Sequence, residues 1–306
     1  MRLVRALPAR FERPLSVAVG NFDGLHRGHQ ALLAAARDES SGLTPAMMFF
    51  EPLPMTFFRP EQPVARVMKL RDRLAVAGEL GIEIAIRCRF DRAFSRLAPE
   101  TFARDVLARG CRARRVVVGP DFRFGHRAAG DVALLRELGG RHGFDVAVVD
   151  TVHDPNGERV SSSRLRQALA RGDLAEAERL LGRPYAISGR VVRGNRLGRE
   201  LGYATANLRV AEPPALIGIA AVRVDGDGLH RHPGVASLGR RPTVAGRDWL
   251  LEVHLFDFDG DLYGRHLRVE FAGFIRHEAH FDSLEAMTER MHDDAARAKA
   301  LLDRRQ

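Results

Sequence analysis

Cysteine is scarce in this sequence of 306 residues, which contains only Cys88 and Cys111. Two thiols so far apart in the chain are too few for a disulfide framework or a cysteine-rich metal site, and they favour reduced thiols in a cytoplasmic protein. No apolar run approaches the length that spans a bilayer, so we expect no membrane segment and no membrane partner. The N-terminal residues include arginines but no continuous apolar stretch, which argues against a secretory signal.

Two familiar motifs are also missing. The absence of Gly-Lys-Ser/Thr excludes a Walker A loop, and the absence of His-Glu-x-x-His excludes a zincin helix. The formal net charge is +9, and the basic residues are overwhelmingly arginine. This balance suits nucleic acid, but it equally suits small polyanions such as nucleoside triphosphates. The arginines are spread along the chain rather than gathered in a run, and aromatic stacking motifs are absent, which does not favour nucleic acid. Composition alone does not decide, so a non-enzymatic nucleic-acid-binding protein stays open as an alternative.

Apolar periodicity divides the chain into two patterns, in keeping with a length that suits two domains. Up to residue 150, short apolar strands alternate with helices, which predicts a doubly wound parallel sheet. Beyond Gly182-Arg183-Pro184 the strands have period two and are separated by turns, which predicts a small antiparallel barrel or sandwich. We therefore predict an α/β domain at residues 1–182 and a β domain with a C-terminal helix at residues 183–306.

The same periodicity predicts the individual elements. Strands are expected at 15–19, 46–50, 82–86, 115–118 and 146–149, and then at 187–192, 217–224, 232–238, 249–258 and 267–274. A helix that carries Leu134, Leu135 and Leu138 is expected to end at Gly139-Gly140. The C-terminal helix is expected to have Asp282 as its N-cap.

A helix N-terminus that carries two histidines follows the strand at 15–19. Gly20-Asn21-Phe22-Asp23-Gly24 supplies turn residues that tolerate positive φ, and the next helix begins at His26-Arg27-Gly28-His29. Such an end attracts anions through its free N–H groups and its dipole. His26 and His29 lie one helical turn apart, so both can point at one phosphate oxygen of a nucleoside triphosphate. The alternative is an ordinary turn followed by two exposed histidines.

The stretch from Gly20 to His29, Gly-Asn-Phe-Asp-Gly-x-His-x-Gly-His, closely resembles the signature of the nucleotidylyltransferase half of bacterial bifunctional riboflavin kinase/FMN adenylyltransferases, the FAD synthetases. The resemblance implies a Rossmann-like nucleotidylyltransferase domain with catalytic roles for His26 and His29. It also implies a set of residues that bind ATP and its phosphates: Gly20, Asn21, Phe22, Asp23 and Gly28. One departure is Leu53, which stands where the family usually has a histidine.

A second strand-end loop, at 119–125, contains Asp121 and Phe122. A polar side chain next to an aromatic one suits a flat ring with a hydrogen-bonding edge, and the alternative is a hydrophobic loop that closes the core. The loop resembles the family's Gly-x-Asp/Asn-Phe-x-Phe-Gly element. That resemblance implies that Asp121 and Phe122 bind the flavin.

Three serines, Ser161, Ser162 and Ser163, open a helix that carries Arg166. Their hydroxyls, the free N–H groups of the helix end and the guanidinium together can hold a phosphate, while the alternative is an ordinary N-cap with solvated arginines. The segment resembles the family's Ser-Ser-Thr-x-x-Arg, with Ser163 in place of threonine. The resemblance implies that the serines bind ATP phosphate and that Arg166 is catalytic, closing over the same site as the histidines.

A glycine-rich basic segment lies within the β domain. Its glycines let the backbone approach phosphates closely. Thr205 and Asn207 face the same way in an extended chain and offer oxygens to Mg²⁺. The alternative, from glycine spacing alone, is a flexible surface loop. The segment resembles the riboflavin kinase signature, except that Ala204 replaces proline and Arg193 stands where histidine is common. That resemblance implies that four residues of the segment bind the ATP of a kinase: Gly194, Gly198, Arg199 and Gly202.

Glu252 lies in Leu-Glu-Val-His-Leu, an alternating strand in which a glutamate can simply face solvent. A kinase that phosphorylates a hydroxyl needs a nearby carboxylate to take its proton. This stretch, the following Phe-Asp-Gly-Asp-Leu-Tyr-Gly and Arg276-x-Glu278 all match the family. The match implies that Glu252 is the catalytic base.

The resemblance covers nearly the whole chain. It implies a transferase that phosphorylates riboflavin to FMN in its C-terminal domain and then adenylylates FMN to FAD in its N-terminal domain. ATP is the co-substrate of both steps, Mg²⁺ is the implied cofactor, and no nucleic-acid partner is expected. The departures at Ala204 and Arg193 leave open an adenylyltransferase with an impaired or inactive kinase domain. The sequence leaves the oligomeric state undetermined.

Overall fold

The computed structural model describes residues 1–193, 205–243 and 246–304. Its chain forms two compact units, which we describe separately. The first unit comprises Met1–Val64 and Leu70–Ser161, and the second comprises Ala65–Lys69 and Ser162–Gln306. By packing, the helices just after Ser161 therefore belong with the second unit, whereas the boundary near residue 183 was predicted from the change in sequence pattern. No helix among the described residues is long and apolar enough to cross a membrane.

The first unit contains a six-stranded sheet in which every pair of neighbouring strands is parallel. Its strands are β1 (Arg2–Val4), β2 (Leu15–Val19), β3 (Thr44–Glu51), β4 (Ile84–Arg89), β5 (Ala113–Val118) and β6 (Asp145–Val148). Their spatial order is β1-β4-β3-β2-β5-β6. The predicted doubly wound parallel sheet is confirmed, and only the three-residue β1 lies outside the predicted strands.

The helices of this unit are α1 (Arg27–Ala36), α2 (Pro54–Phe58), α3 (Leu70–Glu79), α4 (Pro99–Thr101), which continues into a π-helical segment (Phe102–Gly110), and α5 (Val132–His142). Short 3₁₀ turns occupy Glu39–Ser41, Phe94–Arg96 and His126–Ala128. The prediction that α5 ends at Gly139-Gly140 is wrong. A Cβ on Gly139 would lie only 2.5 Å from the Phe144 carbonyl oxygen, so this glycine permits close packing, and the helix ends at the left-handed Gly143.

Every residue of β2 is buried, because this strand lies between β3 and β5 with both faces covered. Its neighbours run in the same direction, so the loops that follow β2, β3 and β5 leave the same edge of the sheet. This edge is where open α/β sheets bind ligands. The turn with the two histidines and the Asp121 loop both lie there.

The second unit begins with α6 (Ser162–Ala170) and α7 (Leu174–Leu181). A closed antiparallel barrel follows, with spatial order β10-β11-β8-β7-β12-β9. Its strands are β7 (Ala186–Val192), β8 (Thr205–Val210), β9 (Gly218–Gly226), β10 (Leu229–Thr243), β11 (Gly246–Leu255) and β12 (His266–Arg276), and α8 (Leu284–Asp303) completes the chain. The predicted small antiparallel barrel with a C-terminal helix is confirmed.

The C-terminal helix starts one residue later than the predicted cap implies. The side chain of Ser283, not that of Asp282, accepts the hydrogen bond from the Ala286 N–H at 3.1 Å. Aspartate and serine are both good N-caps, so local sequence does not separate these two positions. Further along α8, buried Asp294 pairs with Arg276 at the end of β12.

A short segment from the N-terminal half, 65–69, packs with the barrel. The Lys69 ammonium donates hydrogen bonds to the carbonyl oxygens of Ser188 in β7, at 3.0 Å, and Arg209 in β8, at 2.8 Å. Arg66 is buried and its N–H and carbonyl both hydrogen-bond the loop after β8. Lys69 therefore links the neighbouring barrel strands β7 and β8.

Candidate functional site

The turn after β2 has an unusual backbone. Phe22 and Leu25 adopt positive φ values of 51° and 47°, and Gly24 lies between them at 93°. For residues other than glycine, this conformation costs about 1–3 kcal/mol and is concentrated at functional sites. Both side chains are fully buried, so their packing holds the strained turn in place.

After this turn, His26 and His29 lie at the N-terminus of α1. His26 is the N-cap residue, and its Nδ1 accepts a hydrogen bond from the His29 backbone N–H at 3.3 Å. The two imidazole rings are stacked, with centroids 3.7 Å apart and planes 17° from parallel. Because Nδ1 of His26 is an acceptor, a neutral His26 carries its proton on Nε2. The structure thus brings the two predicted histidines together at the start of α1.

The residues around this pair have different positions. Phe22 packs 5.2 Å from the His29 ring, and Asp23 is fully buried, whereas Asn21 is exposed. A Cβ on Gly28 would lie 3.2 Å from the His26 ring. Phe22 therefore packs against the His29 ring, and the missing side chain at Gly28 leaves room for the His26 ring. Their predicted contacts with ATP remain predictions.

The predicted flavin loop lies after β5, next to β2. Asp121 is exposed and its Oδ2 accepts a hydrogen bond from Arg159 Nη1 at 2.6 Å. Phe122 is half-buried and stacks on buried Phe124, with ring centroids 5.7 Å apart. Phe124 packs in the core and Phe122 stays partly accessible, and binding of the flavin by Asp121 and Phe122 remains a prediction.

A continuous series of phenylalanine rings runs through the first unit, each within about 6 Å of the next. In order of contact its members are Phe58, Phe90, Phe94, Phe102, Phe124 and Phe122, with Phe50 and Phe57 at its side. Its first member, Phe58, is 64% exposed. Sequence reasoning missed this series, although 17 phenylalanines beside three tyrosines and one tryptophan were a signal.

Leu53 replaces the family's histidine at the start of α2. It is buried, at 3% exposure, and makes no side-chain capping hydrogen bond. The apolar side chain therefore packs inward at a position where the family places a polar group.

The serine segment begins α6. Ser161 and Ser162 are half-buried, Ser163 is exposed, and Ser162 is the first helical residue. Arg166 Nε donates a hydrogen bond to the Ala65 carbonyl oxygen at 2.8 Å. Ser161 ends the first unit, while the other three residues belong to the second. Their joint action with the histidines remains a prediction.

Arg164, the other arginine of α6, has a structural partner. Its guanidinium pairs with the buried carboxylate of Glu176 in α7 at 2.5 Å, and Arg179 pairs with the same carboxylate. The Arg164–Glu176 pair joins α6 to α7, and the Arg179 pair lies within α7.

The residues predicted to act in the kinase step lie on the barrel where the structure describes them. Glu252 in β11 pairs in register with Asn207 in β8, and His254 pairs with Thr205. Asn207 is 6% exposed, and its Oδ1 has no hydrogen-bond partner among the described residues. Gly194, Gly198, Arg199 and Gly202, which we predicted to bind ATP, lie outside the described residues, as does Ala204.

The oxygen donors on β8 suit a cation such as Mg²⁺. Within the described ranges, no three His, Cys, Asp or Glu side chains are grouped so as to hold a metal ion. Asn207 Oδ1, a buried amide oxygen with no hydrogen-bond partner in the described ranges, lies two residues from Thr205 on the same strand and is a hard donor of the kind that Mg²⁺ binds together with substrate phosphates. The residues present therefore fit the predicted cation.

Two family models match consecutive parts of the chain, the FAD synthetase model at residues 9–164 and the riboflavin kinase model at residues 181–302. Curated proteins named bifunctional riboflavin kinase/FMN adenylyltransferase are similar over almost their whole length. The protein from Escherichia coli (strain K12) is 42% identical, covering 98% of this chain and 97% of its own, and the one from Pseudomonas fluorescens is 43% identical, covering 98% of each.

A crystal structure described as a macrolide-efflux protein from Streptococcus pneumoniae superposes with a TM-score of 0.78 at 29% identity, covering 95% of this chain and 97% of its own. The two-unit fold is thus found in a solved structure of similar length. Taken with the two family models and the curated relatives, the similarity is decisive. The chain belongs to the bifunctional riboflavin kinase/FMN adenylyltransferase family.

Proposed function

We propose that this protein is a transferase that makes FMN from riboflavin and ATP, and FAD from FMN and a second ATP. The observation that carries the proposal is that both family models match along one chain, at residues 9–164 and 181–302. The match to the riboflavin kinase model also favours an active kinase over the alternative of an inactive barrel. Cytoplasmic location remains a prediction from the two free cysteines.

In the kinase step, the terminal ribityl hydroxyl of riboflavin loses its proton to the Glu252 carboxylate. The hydroxyl oxygen attacks the γ-phosphorus of ATP, the bond from that phosphorus to the bridging oxygen breaks, and FMN and ADP leave. Support for this role comes from the register that puts Glu252 opposite Asn207.

Thr205 and Asn207 would hold Mg²⁺ through Oγ1 and Oδ1. When bound, Mg²⁺ neutralises the charge on the phosphate that is transferred. The burial and missing partner of Asn207 Oδ1 among the described residues support this assignment, because a buried oxygen without a hydrogen bond is costly unless a ligand satisfies it.

In the adenylyltransferase step, a phosphate oxygen of FMN attacks the α-phosphorus of ATP, and pyrophosphate leaves. No side-chain nucleophile is needed, so the protein acts by positioning the two substrates and stabilising charge. His26 donates from Nε2 to a phosphate oxygen, and His29 lies stacked beside it at the N-terminus of α1. The dipole of this ten-residue helix adds positive potential at the same point.

The flavin ring of FMN is proposed to lie against Phe122, the partly accessible end of the phenylalanine series that adjoins Asp121. Aromatic side chains bind flat rings by stacking, with a gain of about 0.5–1.5 kcal/mol per pair beyond buried area. Asp121 lies beside Phe122 and offers an acceptor to the edge of the ring.

The test is incubation of the full chain with riboflavin, ATP and Mg²⁺, with riboflavin, FMN and FAD separated by chromatography. We expect FMN to accumulate first and FAD to follow. FAD made from added FMN, without FMN made from riboflavin, would instead identify an adenylyltransferase with an inactive kinase domain. If neither product formed, the proposal would fail.

A further inference from the structure

Glu278 lies directly against Gly239. A Cβ placed on Gly239 would overlap with the carboxylate of Glu278, so this side chain fills the space that any other residue at 239 would use. The φ of Gly239 lies outside the left-handed region, so its backbone conformation does not call for glycine. Glycine is therefore required at position 239 because the Glu278 carboxylate occupies the space that a side chain there would need.

The chain that leads to Glu278 is fixed by an ion pair. Arg276, at the end of β12, donates to the carboxylate of Asp294 through Nε at 3.0 Å and Nη2 at 2.6 Å. Its Nη1 also donates to the carbonyl oxygen of His277 at 3.0 Å. Asp294 is buried, so this ion pair holds the end of β12 against α8, whereas Glu278 itself is an exposed residue.

The seated carboxylate lies on the same barrel face as the proposed base. Ser237 pairs in register with Glu252, and Gly239 is two residues further along β10, so both point to the side of Glu252. A diagonal pair of this kind spans roughly 7–8 Å. Asn207, opposite Glu252 on β8, adds a buried oxygen with no hydrogen-bond partner in the described part of the chain. This one buried oxygen, on the face that carries Glu252, indicates a ligand close to it.

We propose that Glu278 binds the secondary hydroxyl groups of the ribityl chain in the kinase step, and that Gly239 is required to seat it. The inference rests on the proposed kinase function. With the terminal hydroxyl at Glu252, the rest of a polyol chain extends across the face toward Glu278. An ionised carboxylate accepts several hydrogen bonds at once, which suits neighbouring hydroxyl groups. Glu278 thereby favours flavins that carry a hydroxylated side chain.

The test compares Glu278→Gln and Gly239→Ala in the full-length protein, with steady-state kinase kinetics in riboflavin and in MgATP. Each variant should raise the KM for riboflavin on the order of tenfold, the effect of losing one charge-assisted hydrogen bond. The KM for MgATP and the rate of FAD formation from FMN should be unchanged. Glu289→Gln, an exposed carboxylate on α8, is the matched control and should keep the wild-type KM.

Gly239→Ala adds a sharper criterion. The added methyl group meets only the end of a flexible side chain, so we expect the fold to persist with Glu278 displaced. In a Glu278→Ala background the same methyl group displaces nothing, and the double variant should have the KM of Glu278→Ala alone.

Two results would overturn the inference. One is an unchanged KM for riboflavin in Glu278→Gln, and the other is a rise in the KM for MgATP instead, which would assign the carboxylate to a cation. Failure of the proposed function looks different, because the wild-type protein would then form no FMN from riboflavin. If wild type forms FMN and both variants match its KM, this inference alone fails.

Discussion

Glu252 and Asn207 lie directly opposite each other on neighbouring antiparallel strands, β11 and β8. Side chains paired in this way have Cβ atoms about 4.5–5.5 Å apart and point to the same side of the sheet. A carboxylate and a buried amide oxygen are thereby held at one place on a closed barrel, whose strands cannot shift in register without disrupting the core. The barrel fixes the distance between the proposed base and the proposed cation ligand.

Replacing Glu252 by alanine should lower kcat for FMN formation by about 10²–10⁴-fold, the usual contribution of a general base. FAD formation from added FMN should remain at the wild-type rate, because that step uses the other half of the chain. Both activities are measured on one preparation by chromatography, so the second serves as the control for folding. Equal loss of both activities would contradict the assignment.

Replacing His29 by alanine should have the opposite effect. Loss of one donor to a developing charge typically costs about 10²–10³-fold in kcat, so FAD formation should nearly cease while FMN formation continues. The same two assays measure it. A variant that makes FAD normally would show that the stacked pair serves packing alone.

His26 carries two functions that a pair of variants can separate. His26→Ala removes both the N-cap acceptor of α1 and the Nε2 donor, and should cost about 1 kcal/mol of unfolding free energy as well as FAD synthesis. Asparagine is a preferred N-cap, so His26→Asn should restore the stability but not the activity. Denaturant unfolding and FAD formation are measured for both. Recovery of activity in His26→Asn would mean that the cap, not the donor, matters.

The two histidines could be located from sequence because the signal is local: a buried strand, a turn and the first helical residues lie within one short stretch. The phenylalanine series could not be predicted, since Phe58 and Phe90, and likewise Phe102 and Phe124, come from separate elements that meet only when the sheet has formed. Glu278 and Gly239 are likewise remote in the chain, and only the closed barrel brings them together. Periodicity predicts elements, but contacts between side chains on different elements depend on topology.

Boundaries were harder for a different reason. Gly139-Gly140 has the composition of a helix end, yet Gly139 is required by the close approach of Phe144. Local sequence does not distinguish a glycine that ends a helix from one that permits packing. The same holds for Asp282 and Ser283, two good caps side by side, of which only Ser283 is used.

The two cysteines should be unreactive in the folded protein. Burial raises the pKa of Cys88 to about 12, and burial followed by the proximity of Cys88 raises the pKa of Cys111 well above its usual value. Since only the thiolate reacts, a disulfide reagent at pH 8 should label neither thiol of the native protein and both after unfolding in guanidinium. The measurement is the thiol count before and after denaturation. Rapid labelling of the native protein would contradict the burial of both thiols.

Lys69 should contribute to the stability of the barrel although it comes from the N-terminal half of the chain. Its ammonium group joins β7 to β8 through the carbonyl oxygens of Ser188 and Arg209, and hydrogen bonds from a charged donor contribute about 1.5–3 kcal/mol. We therefore expect Lys69→Met to lower the free energy of unfolding of the second unit by about that amount. Trp249, the one tryptophan of the sequence, lies in β11, so its fluorescence reports unfolding of this unit alone.

The matched control for Lys69→Met is Lys299→Met. The Lys299 ammonium lies 4.9 Å from the Phe256 ring centre, a cation–π contact that contributes about 0.5–1 kcal/mol when exposed. Both substitutions remove one positive charge, so a general charge effect would lower the urea midpoint equally. A larger shift for Lys69→Met is expected, because it leaves two strand carbonyl groups without their donor. Equal shifts of the urea midpoint would mean that the hydrogen bonds of Lys69 add no specific stability to the barrel.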